Sequence, residues 1–228
     1  MKNERWPVQD ITSTEDPWRV FRIMSEFVEG FDMLSRVGKA VTIFGSARLK
    51  PSHKMYKLAE KTAYLLGKEG YAIITGGGPG IMEAANKGAR ESGAESVGLN
   101  IELPFEQVPN KHITFLIDFH YFFCRKFMFL KYAKAFVIFP GGFGTLDEFF
   151  ESVTLVQTKR MARFPVILVG KEYWKGMMDW IHKTMMTHRC IDHDDLNIFQ
   201  VVDTPAEVVK IICDFYAKEQ EIINAKKS

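Results

Sequence analysis

The chain has 228 residues, 46% apolar and 13% aromatic, with 30 basic against 28 acidic side chains and a formal net charge of +2. That length suits one α/β domain with a sizeable buried core. Near-balanced charge without a polybasic block argues against a dedicated nucleic-acid or membrane-surface protein, and no apolar run reaches the roughly 18 residues that span a bilayer.

Residues 1–16 are polar, lack a signal-peptide core and read as a flexible or draped arm. Asp16-Pro17 opens a helix with a wide apolar stripe from Trp18 through Phe21, Met24, Phe27 and Phe31 to Leu34. A stripe that wide needs a surface to cover it, on the domain or on a second subunit. A strand at 40–44 then runs into Gly45-Ser46-Ala47-Arg48, and a helix covers 54–68. The strand at 71–75 leads to Gly76-Gly77-Gly78-Pro79-Gly80 and a helix at 80–92. Strands at 96–100 and 114–117 follow, then a helix at 121–134 and a strand at 135–139. After the segment 140–148 come a helix at 146–158, a strand at 165–169, a helix at 173–187, a strand at 199–202 and a helix at 205–218. The last ten or so residues are expected to fray.

Strands alternating with helices of this length predict βαβ crossovers. The expected class is α/β, a Rossmann-like doubly wound and largely parallel sheet of about seven strands, with helices on both faces and an extra N-terminal helix. The chain divides into an arm and amphipathic helix over 1–37, a single Rossmann-like domain over 38–218 and a tail over 219–228. Cys124, Cys190 and Cys213 are widely spaced and odd in number, which predicts reduced thiols and a cytoplasmic protein.

Pro140-Gly141-Gly142-Phe143-Gly144-Thr145-Leu146-Asp147-Glu148 is the most informative stretch. Three glycines let backbone N–H groups turn toward an anion, and the start of the next helix adds positive dipole character. Thr145 can cap that helix and offer its hydroxyl to a phosphate, while Glu148 sets a carboxylate beside it. The same Thr-x-x-Glu spacing is also a capping box, with no ligand required. Convergence favours the ligand. In such a sheet ligands sit outside the carboxyl ends of the strands, where three glycine-bearing turns meet.

Arg125 is placed there by arithmetic. It lies about 13 Å back along the helix at 121–134, given 1.5 Å per residue. The next strand returns about 16 Å at 3.3 Å per residue, so Arg125 arrives near the 140–144 loop. A guanidinium there can clamp phosphate, ribose hydroxyls or a base.

Other chemistries fit poorly. The Gly76–Ile81 loop breaks the dinucleotide fingerprint at its sixth position, no Gly-Lys-Ser/Thr ends either loop, and there is no Gly-x-Ser-x-Gly elbow. His188, Cys190, Asp192, His193, Asp194 and Asp195 match no zinc spacing and read as a solvated loop. Cys124 reads as a thiol on a buried aromatic helix flank, and Phe122, Phe123, Phe127, Phe129 and Leu130 as core or subunit interface.

Gly45-Ser46, the Gly76–Met82 loop, Arg125-Lys126 and the Pro-Gly-Gly-x-Gly-Thr-x-x-Glu signature at 140–148 together resemble the LONELY GUY (LOG) family, long labelled "possible lysine decarboxylase". The resemblance covers about residues 38–215. It implies nucleotide phosphoribohydrolase activity on a nucleoside 5′-monophosphate, AMP or an N6-substituted AMP such as a cytokinin nucleotide. It implies Arg125 and Glu148 as the catalytic pair, and a homodimer or dimer-based hexamer with sites near the subunit interface. Gly45, Ser46, Gly77, Gly78, Glu83, Lys126, Gly141, Gly142, Gly144 and Thr145 are the expected substrate-binding positions, Glu83 for ribose hydroxyls or for a second acid/base role. No cofactor, metal, nucleic acid or membrane partner is expected. Gly80-Ile81-Met82-Glu83 departs from the plant-type Gly-Leu-Met-Gly, and with the long aromatic helix it suggests a bacterial branch with another base preference. The alternative is a non-catalytic nucleotide or molybdenum-cofactor carrier of the same fold.

Overall fold

Residues alternate between two faces along each central strand, which marks a sheet covered on both sides. In the computed structural model, which describes residues 16–102 and 108–225 (for 16 and 17 the backbone alone), β1 spans Ala40–Phe44. Its Val41 and Ile43 face one core, and Ala40 and Phe44 the other. Strands β2 (Ala72–Thr75), β3 (Ser96–Ile101), β4 (Phe115–Phe119), β5 (Ala133–Ile138), β6 (Val166–Val169) and β7 (Phe199–Val202) complete one sheet in the order β4-β3-β2-β1-β5-β6-β7. Every neighbouring pair is parallel. The expected architecture is therefore the observed one, with strand ends moved by a residue or two.

Helices α2 (Lys54–Lys68), α3 (Ile81–Ser92) and α7 (Pro205–Ala225) pack on one face. Helices α1 (Asp16–Leu34), α4 (Phe122–Tyr132), α5 (Phe143–Gln157) and α6 (Lys171–Trp180) cover the other. Two expectations need correction. The helix expected at 173–187 begins earlier and passes into a π-helical turn, Ile181–Met185. Helix α7, expected to end at 218, continues through Ala225, with Ile222 and Ile223 exposed. Residues 1–15 of the arm lie outside the described residues. Among the described residues no helix is long and apolar enough to cross a membrane.

Helix α1 rests on α4. Phe27 and Phe31 meet the Phe127 ring edge-on at 5.5 and 6.0 Å, and Glu26 accepts the backbone N–H groups of His120 and Tyr121 at 2.9 and 3.2 Å. That carboxylate satisfies donors at the start of α4, where the helix dipole favours negative charge. The opposite side of α1, with Trp18, Phe21, Met24 and Val28, stays exposed.

A buried polar network braces the turn after β2. Asn86 accepts from Thr75 Oγ1 at 2.6 Å and from Asn110 Nδ2 at 2.9 Å, and donates to Ser96 Oγ at 2.8 Å. Asn110 also donates to the carbonyls of Gly77 and Gly78, both at 3.1 Å. Asn86→Ala would strand several buried groups, so we expect a loss of about 3 kcal/mol in urea denaturation. A loss near zero would mean the network braces nothing.

Candidate active site

The strand order reverses direction between β1 and β5, and at such a switch point the flanking loops diverge and leave a crevice. Here the crevice is a hollow of about 710 Å³. The turn after β1 (45–49) and that after β5 (140–142) form its floor. Gly76 from the β2 turn, Arg125 from α4 and Glu148 from α5 close its sides. All three glycine turns reach it, as their placement after strands predicts.

Helix α5 starts one turn earlier than its apolar pattern suggests. Gly142 is the residue before its first turn and makes no side-chain cap, so Thr145 sits inside the helix, its N–H donating to the Gly142 carbonyl at 3.0 Å. The Thr145 side chain folds against Gly141, where a Cβ would overlap it. Thr145 is therefore not the helix cap, and the capping-box explanation of Thr-x-x-Glu does not hold here. A Cβ at Gly142 or Gly144 would meet nothing within 4 Å, so packing does not require glycine at either position. What glycine leaves there is room beside first-turn N–H groups that have no partner within their own helix.

The loops are tied to one another. Ser46 donates its N–H to the Pro140 carbonyl at 2.9 Å and accepts from Ile81 N–H at 3.0 Å. Gly80, at φ +70°, lies so close to Ser46 and Ala47 that a Cβ there would collide with their backbone. Tyr173 at the start of α6 donates its hydroxyl to the Gly141 carbonyl at 2.7 Å.

Arg125 and Glu148 both face this hollow. The guanidinium carbon stands 5.2 Å from the Phe122 ring centre and 5.6 Å from that of Phe129. A Cβ built on Gly76 would lie 3.7 Å from Arg125 Nη1. Arg125 Nε and Glu148 Oε2 are buried without a hydrogen-bond partner, an unusual state for groups that cost free energy to leave unsatisfied. Burial pushes the Glu148 carboxyl from its ordinary 4.5 up to about 7, outweighing the opposing charges of Lys126 and Arg125. Burial also lowers Arg125, against the attraction of Glu148 and Asp147; its high ordinary value keeps it a cation. Desolvation is thus the larger effect on Glu148, and the nearby Arg125 guanidinium opposes it without cancelling it. A carboxyl near neutrality is suited to taking and returning a proton.

Gly45, Ser46, Gly141, Gly142, Gly144 and Thr145 line the hollow with this pair. Four expected binding positions do not. Gly77 and Gly78 are buried, with their carbonyls held by Asn110 and the Gly77 N–H donated to Thr75 Oγ1 at 3.0 Å. Glu83 lies on α3 where its charge acts on Tyr56 and His112. Lys126 pairs with Asp147 and Glu151. In turn the hollow recruits Arg48, Met82, Phe122, Phe143 and Tyr173. Arg48 and Phe143 were legible from their places inside glycine turns, whereas Tyr173 carried no local signal.

Elsewhere, Asp192 and Asp195 cap a 3-10 turn over His193–Asn197, and no group of three or more His, Cys, Asp or Glu among the described residues is placed to hold a metal. Cys124 is fully buried, and burial lifts its thiol to about 11, so it is no thiolate. Phe129 and Leu130 enter the core, whereas Phe122, Phe123 and Phe127 stay substantially exposed.

The chain is similar in sequence and in fold to known proteins. Over 147 residues the chain is 29% identical to a cytokinin riboside 5′-monophosphate phosphoribohydrolase of Rhodococcoides fascians, covering 63% of this chain and 74% of that one. A Mycobacterium tuberculosis protein of the same name is 30% identical, covering 60% and 75%. Escherichia coli pyrimidine/purine nucleotide 5′-monophosphate nucleosidase is 26% identical over 65% of this chain but only 36% of its own longer length. Among solved structures, the structural-genomics target TM1055 superposes with a TM-score of 0.59 at 26% identity, covering 78% of this chain and 99% of that one. The molybdenum cofactor carrier protein of Chlamydomonas reinhardtii shares the fold, with a TM-score of 0.56, 19% identity, and 78% and 98% coverage. The profile of the family described as "Possible lysine decarboxylase" matches residues 82–212, and the chain belongs to that family, the LOG family.

Proposed function

We propose that this protein hydrolyses the N-glycosidic bond of a nucleoside 5′-monophosphate, AMP or an N6-substituted AMP. Water adds its hydroxyl to C1′, the C1′–N bond breaks, and the base leaves with a proton, giving free base and ribose 5-phosphate. The observation that carries this reading is the pairing of an unsatisfied buried carboxyl and a guanidinium beside an anion-suited helix start. The names of the relatives from Rhodococcoides fascians, Mycobacterium tuberculosis and Escherichia coli support the same reaction class.

In this reading the N–H groups of the 141–144 segment, the Thr145 and Ser46 hydroxyls and Arg48 hold the 5′-phosphate. Glu148, ionised above about pH 7, stabilises positive charge at C1′ or takes a proton from water. Arg125 orients the ribose or the base. Among the described residues the lining contains no lysine to form a Schiff base, so the hollow gives the decarboxylase label no support. The exposed side of α1 supports the homodimer or dimer-based hexamer that the family resemblance suggests.

Incubation with AMP, GMP, CMP and N6-isopentenyl-AMP, followed by assay of ribose 5-phosphate, tests the reaction. Product from at least one nucleotide is the expected result. Tight binding without product would favour a carrier, a second reading to which the shared fold of the molybdenum cofactor carrier gives some weight.

A further inference from the structure

Lys126 stands next to Arg125 in α4, yet its side chain turns away from the hollow and is only 17% exposed. Its Nζ lies 2.8 Å from Asp147 Oδ2 and 3.0 Å from Glu151 Oε2. Asp147 and Glu151 are four residues apart and so share one stripe of α5. Glu148 follows Asp147 directly and lies on the neighbouring stripe, buried against the hollow. The ion pairs and the proposed reacting pair are therefore offset by a single residue on each helix. Whatever slides or tilts α5 against α4 at Lys126 changes the approach of Glu148 to Arg125 by a similar amount.

We infer that Lys126 is a positioning residue: its paired contacts to Asp147 and Glu151 hold Arg125 and Glu148 in register and offset the negative charge beside Glu148. It is not a substrate ligand. The inference rests on the proposed roles of Arg125 and Glu148 for its effect on rate, but not for its effect on charge. An isolated exposed ion pair would contribute little. Here one largely enclosed ammonium serves two carboxylates, and losing it leaves both uncompensated beside a buried acid. The charged groups acting on Glu148 are Arg125 and Lys126 from α4 and Asp147 and Glu151 from its own helix. Removing Lys126 therefore favours the neutral carboxyl, while removing Glu151 favours the charged one.

The test follows Glu148 directly in the ligand-free protein, by ¹³C NMR of labelled glutamate carboxyls assigned with Glu148→Gln. Lys126→Met is expected to raise the Glu148 midpoint by about one pH unit. Glu151→Gln is expected to lower it, and Lys126→Arg to leave it near wild type. Should Lys126→Met fail to fold, the Glu151→Gln and Lys126→Arg arms still decide. With AMP, Lys126→Met should lower kcat by about tenfold or more. The inhibition constant for ribose 5-phosphate should stay within about twofold, because Lys126 does not face the ligand. An unmoved midpoint in folded variants would overturn the inference, as would an unchanged kcat with a tenfold weaker inhibitor. If no nucleotide is cleaved, the reaction proposed above fails, while the NMR arm still judges Lys126.

Discussion

Glu148→Gln should lower kcat for nucleotide cleavage by about 10²-fold or more while leaving the protein folded. The amide keeps the shape of the buried side chain but can neither carry negative charge toward C1′ nor accept a proton from water. The same change has a second consequence, opposite in sign. The folded-state carboxyl sits at about 7, above its ordinary 4.5, so its contribution to folding is fully present below about pH 4.5. That contribution is lost as pH rises through 7, where the folded protein must hold a charge that burial disfavours. By pH 8 the wild type gives up about 3 kcal/mol relative to pH 4 on this account, whereas glutamine does not titrate. Urea denaturation at pH 5 and pH 8 should therefore show the Gln variant gaining on wild type at the higher pH. Wild-type kcat in a folded variant would remove Glu148 from the mechanism. A stability difference that ignores pH would mean the carboxyl ionises freely in the fold.

Arg125→Ala is the second large effect expected, again about 10²-fold or more in kcat. The guanidinium lies within reach of the Phe122 and Phe129 rings and near Gly76, so its planar head is oriented before any ligand arrives. Alanine removes that preset cation and one of the two positive charges acting on Glu148. The acid limb of the pH–rate profile should consequently move to higher pH, since the carboxyl becomes harder to ionise. Arg125→Lys should not restore the rate: an ammonium lacks the flat fork that addresses two acceptors and stacks on rings. Full activity in the lysine variant would show that charge alone is required. A fallen kcat without movement of the acid limb would separate Arg125 from the titration of Glu148.

The alternation of short apolar runs with helical segments anticipated the seven strands and their parallel pairing, because a strand buried on both faces must be apolar throughout. The meeting of Arg125 with the 140–144 loop was legible too, since helix rise and strand rise return the chain to the same level. Thr145 departs from its expected capping place for a local reason. Phe143 and Gly144 are poor helix signals, yet both lie in the first turn of α5, which moves the start past any side-chain cap. The bond from Tyr173 to Gly141 joins residues 32 positions apart with α5 and β6 between them, a distance at which no spacing rule operates.

Side-chain type, order and period were enough to specify the sheet, the three glycine turns and the two charged groups that approach one another. Direction was not. Lys126 and Glu83 turn from the hollow while Arg125 and Met82 turn into it, although each pair is adjacent in the chain. Which neighbour faces a ligand depends on helix phase against the packed sheet, and whether Glu148 carries a charge near neutral pH depends on how much water that packing excludes. Both are properties of the assembled volume, where interactions from distant segments add at one point and no single segment holds the sum.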